Sequence, residues 1–256
     1  MNVLLELDHS MLGRLWPVFR VSGVMLVAPI LSSAYVPIRI RALLAAVLAL
    51  IVMPQVGPNP DISSISPLLA LTALQELAIG FSIGFVLRLV IEAVLLGGQI
   101  LATTMGLQFA TVVDANQSGT PTLSQFYIIV ATLLLLATDA HLALIELLAG
   151  SFELMPIASA SFGPEQAGMV LGFAGQMFAS GLQLALPSVV AILMVNVSFG
   201  IVSRAAPTLN LFAVGFPIAM LVGFVVMILT IDSVYPVWAD TMNDAFALMF
   251  ILAGGN

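Results

Sequence analysis

The sequence predicts an all-α integral membrane protein made of helical hairpins and broken helices, and three observations carry that prediction. Hydrophobic residues make up 61% of the chain against 7% charged residues, and the mean hydropathy is +1.17. A soluble domain carries about a quarter charged residues because its surface must be solvated, and six Arg, no Lys and thirteen acids cannot cover a 256-residue globule. The apolar residues gather in six blocks, at 15–35, 38–56, 68–101, 126–150, 168–200 and 209–231, followed by an amphipathic tail. Neither strand alternation nor a fixed-period repeat is visible. Backbone facing lipid must satisfy its hydrogen bonds within its own segment, so each block is expected to be helical.

The blocks are uneven. The first contains Arg20 with Pro17 and Pro29. The second has twelve residues between Arg41 and Pro54, about 18 Å of helix and too short to cross a core of roughly 30 Å. The third runs 34 residues with Glu76, Arg88 and Glu92 inside it. Leu209–Ile231 is an uncharged span of 23 residues, about 34 Å long. Such blocks fit helices packed against protein better than a set of lipid-facing spans. If alternate connections are cytoplasmic, Arg39, Arg41 and Arg204 fall on one side, and Asp61, Glu153 and Glu165 on the other. The positive-inside rule then puts both termini outside.

Charges in apolar surroundings need a reason, because each costs a few kcal/mol or more at mid-bilayer. Arg88 and Glu92 are four apart on one helix face, which suits an intrahelical pair or a contact to a neighbouring subunit. Glu76 is rotated away from that face and requires another partner or water. Thr132, Asp139, Glu146 and Glu153 recur every seven residues, on almost one face of a continuous helix. That stripe suits a helix emerging into solvent, a partner's bases or a proton path. His141 lies nearly opposite Asp139 and is read as a capping or packing residue.

Gln176, Ser180 and Gln183 follow the i, i+4, i+7 pattern, with Asn196 beyond Pro187. Uncharged hydrogen-bonding side chains suit helix contacts within a membrane assembly, and an aqueous lining almost as well. Gly168, Gly172, Gly175 and Ala179 would let another helix approach closely, so "GFAGQMFASG" reads first as an assembly interface.

Several classes of function are excluded. The chain has no Cys, which rules out disulfides, thiolate metal sites and Cys nucleophiles. His9 and His141 are too few for an all-protein zinc site without carboxylates, and neither a metal nor another cofactor is expected. No Ser has a base nearby, and a phosphate-binding loop that needs Lys cannot be built, so the chain is not read as an enzyme. A net charge of −7 speaks against nucleic acid. Glu6 and Asp8 precede any base, the reverse of a secretory signal, so cleavage is not expected. A transport or channel component and a structural membrane subunit are the two remaining classes. A stand-alone small-solute transporter would favour paired half-repeats, and no internal match is seen.

Between blocks three and four lies "GLQFATVVDANQSGTPTLSQFY", residues 106–127, polar and nearly neutral with the single charge Asp114. Gly106, Gly119 and Pro121 supply bends and flexibility. Gln108, Thr111, Asn116, Gln117, Ser118 and Thr120 are neutral polar residues, while Leu107, Phe109, Val112 and Val113 are apolar. The segment is far longer than a connection requires.

"RVSGVMLVAPILSSAYVPIRIRALLAAVLALIVMP" (20–54) resembles the opening of the FliR/SpaR/YscT family, a membrane component of flagellar and injectisome type III secretion. Arg20, Ala28-Pro29, Val36-Pro37, Arg39, Arg41 and Pro54 carry the match. "TDAHLALIELLAGSFELMPI" (138–157) is similar to the family's Gly-His…Ser-Phe…Pro segment, with Asp139-Ala140 where a Gly is common. "RAAPTLNLFAVGFPIAMLVG" (204–223) resembles its Ala-Pro-x-x-Asn…Gly-Phe-Pro signature through Pro207, Asn210, Gly215 and Pro217, and is the most specific of the three. The flagellar branch is favoured over the injectisome branch.

The resemblance implies a subunit of an export gate, a hetero-oligomeric helical assembly with FliP and FliQ. FlhB packs at the cytoplasmic entrance, FlhA is a further partner, and unfolded flagellar subunits pass through the centre. It further implies one membrane domain in which 1–167 is FliP-like and 168–256 is a FliQ-like hairpin and tail. The bacterial inner membrane, at the flagellar basal body, is the implied location. The loop from Gly106 to Pro121 is implied to plug the pore, its polar groups tolerating varied cargo and its apolar groups sealing the closed state. Arg39, Arg41, Arg88, Glu92, Gln176, Gln183 and the residues of the last motif are implied to pack the assembly. Pro217 is expected to kink block six.

Overall fold

The structure, a computed structural model, describes residues 16–29, 32, 36–56, 67–107, 122–158, 162–205 and 211–255. Among these residues the chain is helical, without a strand. The described residues form, in order, α1 (Pro17–Val27), α2 (Ile38–Val52), α3 (Pro67–Thr104), α4 (Thr122–Ala137), α5 (Ala140–Leu154), α6 (Pro164–Ala205), α7 (Leu211–Thr230) and α8 (Val234–Leu252). The all-α membrane architecture expected from composition is what the chain adopts.

Among the described residues, three stretches are long and apolar enough to cross a membrane: Leu69–Thr104, Pro164–Arg204 and Gly215–Leu252, the last running from α7 through a short 3-10 turn into α8. At 1.5 Å per residue the 38 residues of α3 and the 42 of α6 extend about 57 and 63 Å, roughly twice a hydrocarbon core. Block two forms a helix of 15 residues, about 22 Å and too short to span, as its sequence indicates.

Block four departs from expectation. Instead of one helix it is the pair α4 and α5, bent by 60° at Thr138 and Asp139. Asp139 sits in the left-handed region with φ 55° and ψ 20°, a conformation that Asp tolerates better than most side chains because its short polar group can bond locally. Its carbonyl accepts the N–H groups of Leu142 and Ala143 and so starts α5. The seven-residue stripe is therefore not one face: Thr132 lies on α4, Asp139 at the joint, and Glu146 and Glu153 on α5.

The chain forms two compact units, one from Met1–Leu89, Leu135–Ala174 and Asn243–Asn256, the other from Val90–Leu134 and Gly175–Met242. In the first, α1 lies against α3 with glycine on both sides. A Cβ on Gly80 would collide with the carbonyl oxygen of Arg20, and one on Gly84 would come within 2.9 Å of the Val24 oxygen. Only glycine allows the two backbones this close. Val21, Val24, Ile79, Ile83 and Leu87 fill the buried seam beside them.

In the second unit α3 and α6 meet in the same way. A Cβ on Gly97 would stand 3.1 Å from the Gly181 oxygen, and one on Gly181 2.8 Å from the Ala93 oxygen. Thr241 of α8 donates to Ser180 Oγ at 3.0 Å, and its hydroxyl also lies 2.7 Å from the Val237 carbonyl oxygen on its own helix. Ser180 is thus turned inward while Gln176 and Gln183 are exposed, and the polar pattern on α6 divides between two faces.

Candidate assembly surfaces and a buried charge cluster

Arg20 and Glu76 are the charged groups most deeply enclosed among the described residues, at 0% and 1% exposure. Arg20 Nε donates to Glu76 Oε2 at 2.7 Å. Its Nη1 donates to the carbonyl oxygen and hydroxyl oxygen of Ser151, at 2.8 and 3.0 Å, and its Nη2 donates to the Met155 carbonyl at 3.0 Å. The guanidinium also stacks over Phe152, 4.3 Å from the ring centroid, an arrangement favoured by the negative face of the aromatic ring.

The sequence puts this cluster together from three helices. Arg20 comes from α1, Glu76 from α3, and the two carbonyls from the last turn of α5 and the residue that follows it. Both carbonyls stand at the negative end of the helix dipole; the Ser151 carbonyl also accepts the Met155 N–H, while the Met155 carbonyl lies just past the last helical residue. One arginine therefore neutralises a carboxylate and caps a helix C-terminus within the first unit. Glu76 needed a partner and has one. The Arg20 pairing was not legible, because nothing in periodicity links residues 56 apart.

Of the residues expected to pack an assembly, Arg39 is exposed at the start of α2, and Arg41 is half-buried with Nε donating to the Val36 carbonyl at 3.0 Å. Arg88 is exposed and Glu92 half-buried on adjacent turns of α3, and neither lacks an interaction. Gly215 is half-buried on α7, beside the Phe199 ring. Pro217 lies inside α7 and is exposed, and the helix continues through it to Thr230. Pro207 and Asn210 fall outside the described residues. Gly106 and Leu107 close the turn after α3, Gly106 with φ 76°. The remaining loop residues, Gln108, Phe109, Val112, Val113, Asp114, Asn116, Gln117, Gly119 and Pro121, also lie outside them.

The long helices differ in how much the chain itself covers them. In α3, 61% of the most apolar window is buried, against 17% in α6 and 17% in the α7–α8 stretch. On α6 a Cβ at Gly168, Gly172 or Gly175 would meet nothing within 4 Å, unlike Gly181. Those three small residues remain open to another surface. His141 is half-buried near the start of α5, with Nδ1 buried and without a hydrogen-bond partner among the described residues. It packs there and does not cap through that atom.

An all-α chain with helices twice the bilayer thickness, an ion pair sealed in apolar surroundings and broad uncovered apolar faces is a membrane protein. Residues 11–245 match the family model of the bacterial export proteins, family 1, and the chain belongs to that family. It is 34% identical over 236 residues to the flagellar biosynthetic protein FliR of Escherichia coli K12, covering 91% of this chain and 90% of that protein. The corresponding protein of Pectobacterium carotovorum is 33% identical with the same coverage. That of Aquifex aeolicus is 28% identical over 93% of both chains. The match to the family thus extends well beyond the three motifs that suggested it.

Proposed function

We propose that this chain is a subunit of the flagellar type III protein export gate in the bacterial inner membrane. With FliP and FliQ it forms the pore through which unfolded flagellar subunits cross, FlhB and FlhA being further partners of the apparatus. The observation that carries this reading is the 34% identity to a flagellar biosynthetic protein FliR along nine-tenths of both chains. The uncovered faces of α6, α7 and α8 support it, since sister subunits would cover apolar surface that exceeds a bilayer's thickness.

Within this reading the segment 106–121 is the plug. Its neutral polar side chains hydrogen-bond passing cargo of either charge without trapping it, and Leu107, Phe109, Val112 and Val113 close the pore to ions between passages. Gln176 and Gln183, exposed on α6, offer hydrogen bonds to neighbouring subunits, and Gly168, Gly172 and Gly175 let a neighbouring helix approach closely. The chain divides into a FliP-like part over 1–167 and a FliQ-like hairpin and tail over 168–256.

Co-expression with FliP and FliQ, mild detergent extraction and native mass spectrometry test the proposal. The expected particle contains one copy of this chain in a large mixed complex. A stable monomer or homodimer would overturn it.

A further inference from the structure

A groove of about 420 Å³ runs between the end of α2 and one face of α5. Ile51 and Val52 of α2 line it together with Leu142, Ile145, Glu146, Ala149, Gly150 and Glu153 of α5. The acids are seven residues apart, about 10.5 Å along the helix and only about 20° around it. Both are exposed, and neither meets a hydrogen-bond or ion-pair partner among the described residues. A Cβ on Gly150 would meet nothing within 4 Å, so the groove is open between the two carboxylates.

We infer that this groove docks an apolar helix of another polypeptide that carries two Lys or Arg residues seven apart on one face. Charge complementarity selects that occupant. The apolar walls favour an apolar surface, and carboxylates in such a setting require cations or water. The chain has thirteen acids against six arginines and no lysine, so its own bases cannot serve them all. Its arginines stand at 14, 20, 39, 41, 88 and 204, and no two are seven apart. A second copy therefore cannot offer the required spacing on one helix. Two positive charges seven residues apart match the acids in rise and in angle, and the open space at Gly150 accepts the close approach of a helix backbone.

This inference depends on the groove alone, not on the export-gate reading, and its test uses none of the partners that reading proposes. The full chain, which has no cysteine of its own, is labelled with a fluorescent donor at Leu154→Cys, exposed beside the groove, and reconstituted in nanodiscs. It is titrated with an acceptor-labelled apolar helical peptide of about twenty residues bearing two Lys seven apart, and with the same peptide bearing two Gln. The dibasic peptide is expected to bind about tenfold more tightly, as two polar contacts in a membrane allow. Glu146→Gln with Glu153→Gln abolishes that difference, whereas Glu165→Gln, an acid away from the groove, preserves it. Equal affinity for the two peptides, binding of neither, or a preference that survives the double variant would each overturn the inference. A particle of the wrong composition in the co-expression experiment would overturn the export-gate reading and leave this result standing.

Discussion

Arg20 and Glu76, 56 residues apart in sequence, meet at 2.7 Å with almost no solvent exposure on either side. Such a pair stabilises only as long as both members are present. Removing one leaves an uncompensated buried charge, which costs about 3–5 kcal/mol, while replacing both with apolar residues of similar volume is often neutral. Arg20→Met or Glu76→Leu alone is therefore expected to lower sharply both the recovery and the thermal stability of folded protein in detergent. The double variant restores much of both, short of wild type because the Met155 carbonyl loses its donor and the Ser151 carbonyl keeps only the Met155 N–H. Thermal unfolding of the four proteins, followed by light scattering, measures the coupling. Independent, additive losses would contradict it.

Glycines on the two sides of the chain should respond differently to the same change. Gly80→Ala drives a methyl group into the Arg20 carbonyl and forces α1 away from α3, so the yield of folded chain is expected to fall steeply. Gly172→Ala meets nothing and should leave the isolated chain as stable as before, or slightly more so through helix propensity, by up to about 1 kcal/mol. Its effect belongs in the assembled complex, where a close neighbour would feel the methyl. Size-exclusion profiles of chain and complex side by side separate the two cases.

The hydrogen bond from Thr241 to Ser180 is expected to contribute little. Interhelical hydrogen bonds of this kind average about 0.6 kcal/mol in membranes, and the Thr241 hydroxyl keeps the nearby Val237 carbonyl as an alternative partner. Ser180→Ala should shift the unfolding midpoint by no more than a few degrees. A collapse of folded yield would mean that the contact is structural.

Shortening the segment between Leu107 and Thr120 is expected to leave complex assembly intact and to let ions leak through the membrane. Ion flux across cells or proteoliposomes carrying the shortened chain reads the outcome, and unchanged permeability would remove the plug from the proposal.

Pro217 is exposed on α7, so Pro217→Ala should not harm the isolated chain. A reduced yield of the mixed complex is expected if the proline shapes a surface that partners contact. Equal yields of complex would show that α7 does not use it in this way.

The class of the protein, the brevity of α2 and the extreme length of α3 could be read from composition and block lengths, because these depend on local sequence. The family could be read from ordered motifs. The Arg20–Glu76 pair could be read only halfway. Both residues stand out as charges in apolar blocks, yet choosing the partner requires knowing which helices touch. The break at Asp139 was hidden by a stripe at sevens that a continuous helix explains equally well, since one left-handed residue leaves no periodic trace. Ser180 shares with Gln176 and Gln183 a spacing that fits a single broad face. Packing against α8 divided that face at a position no local pattern marks.

The 63 Å reach of α6, about twice the hydrocarbon thickness, bears on how the cell handles the newly made polypeptide. A helix of that length, mostly uncovered by its own chain, fits a bilayer by itself only with steep tilt, a kink or ends that leave the hydrocarbon core. Until another surface covers it, that apolar length stays exposed, so the supply of this chain and the supply of its covering surface are coupled through the length of one helix.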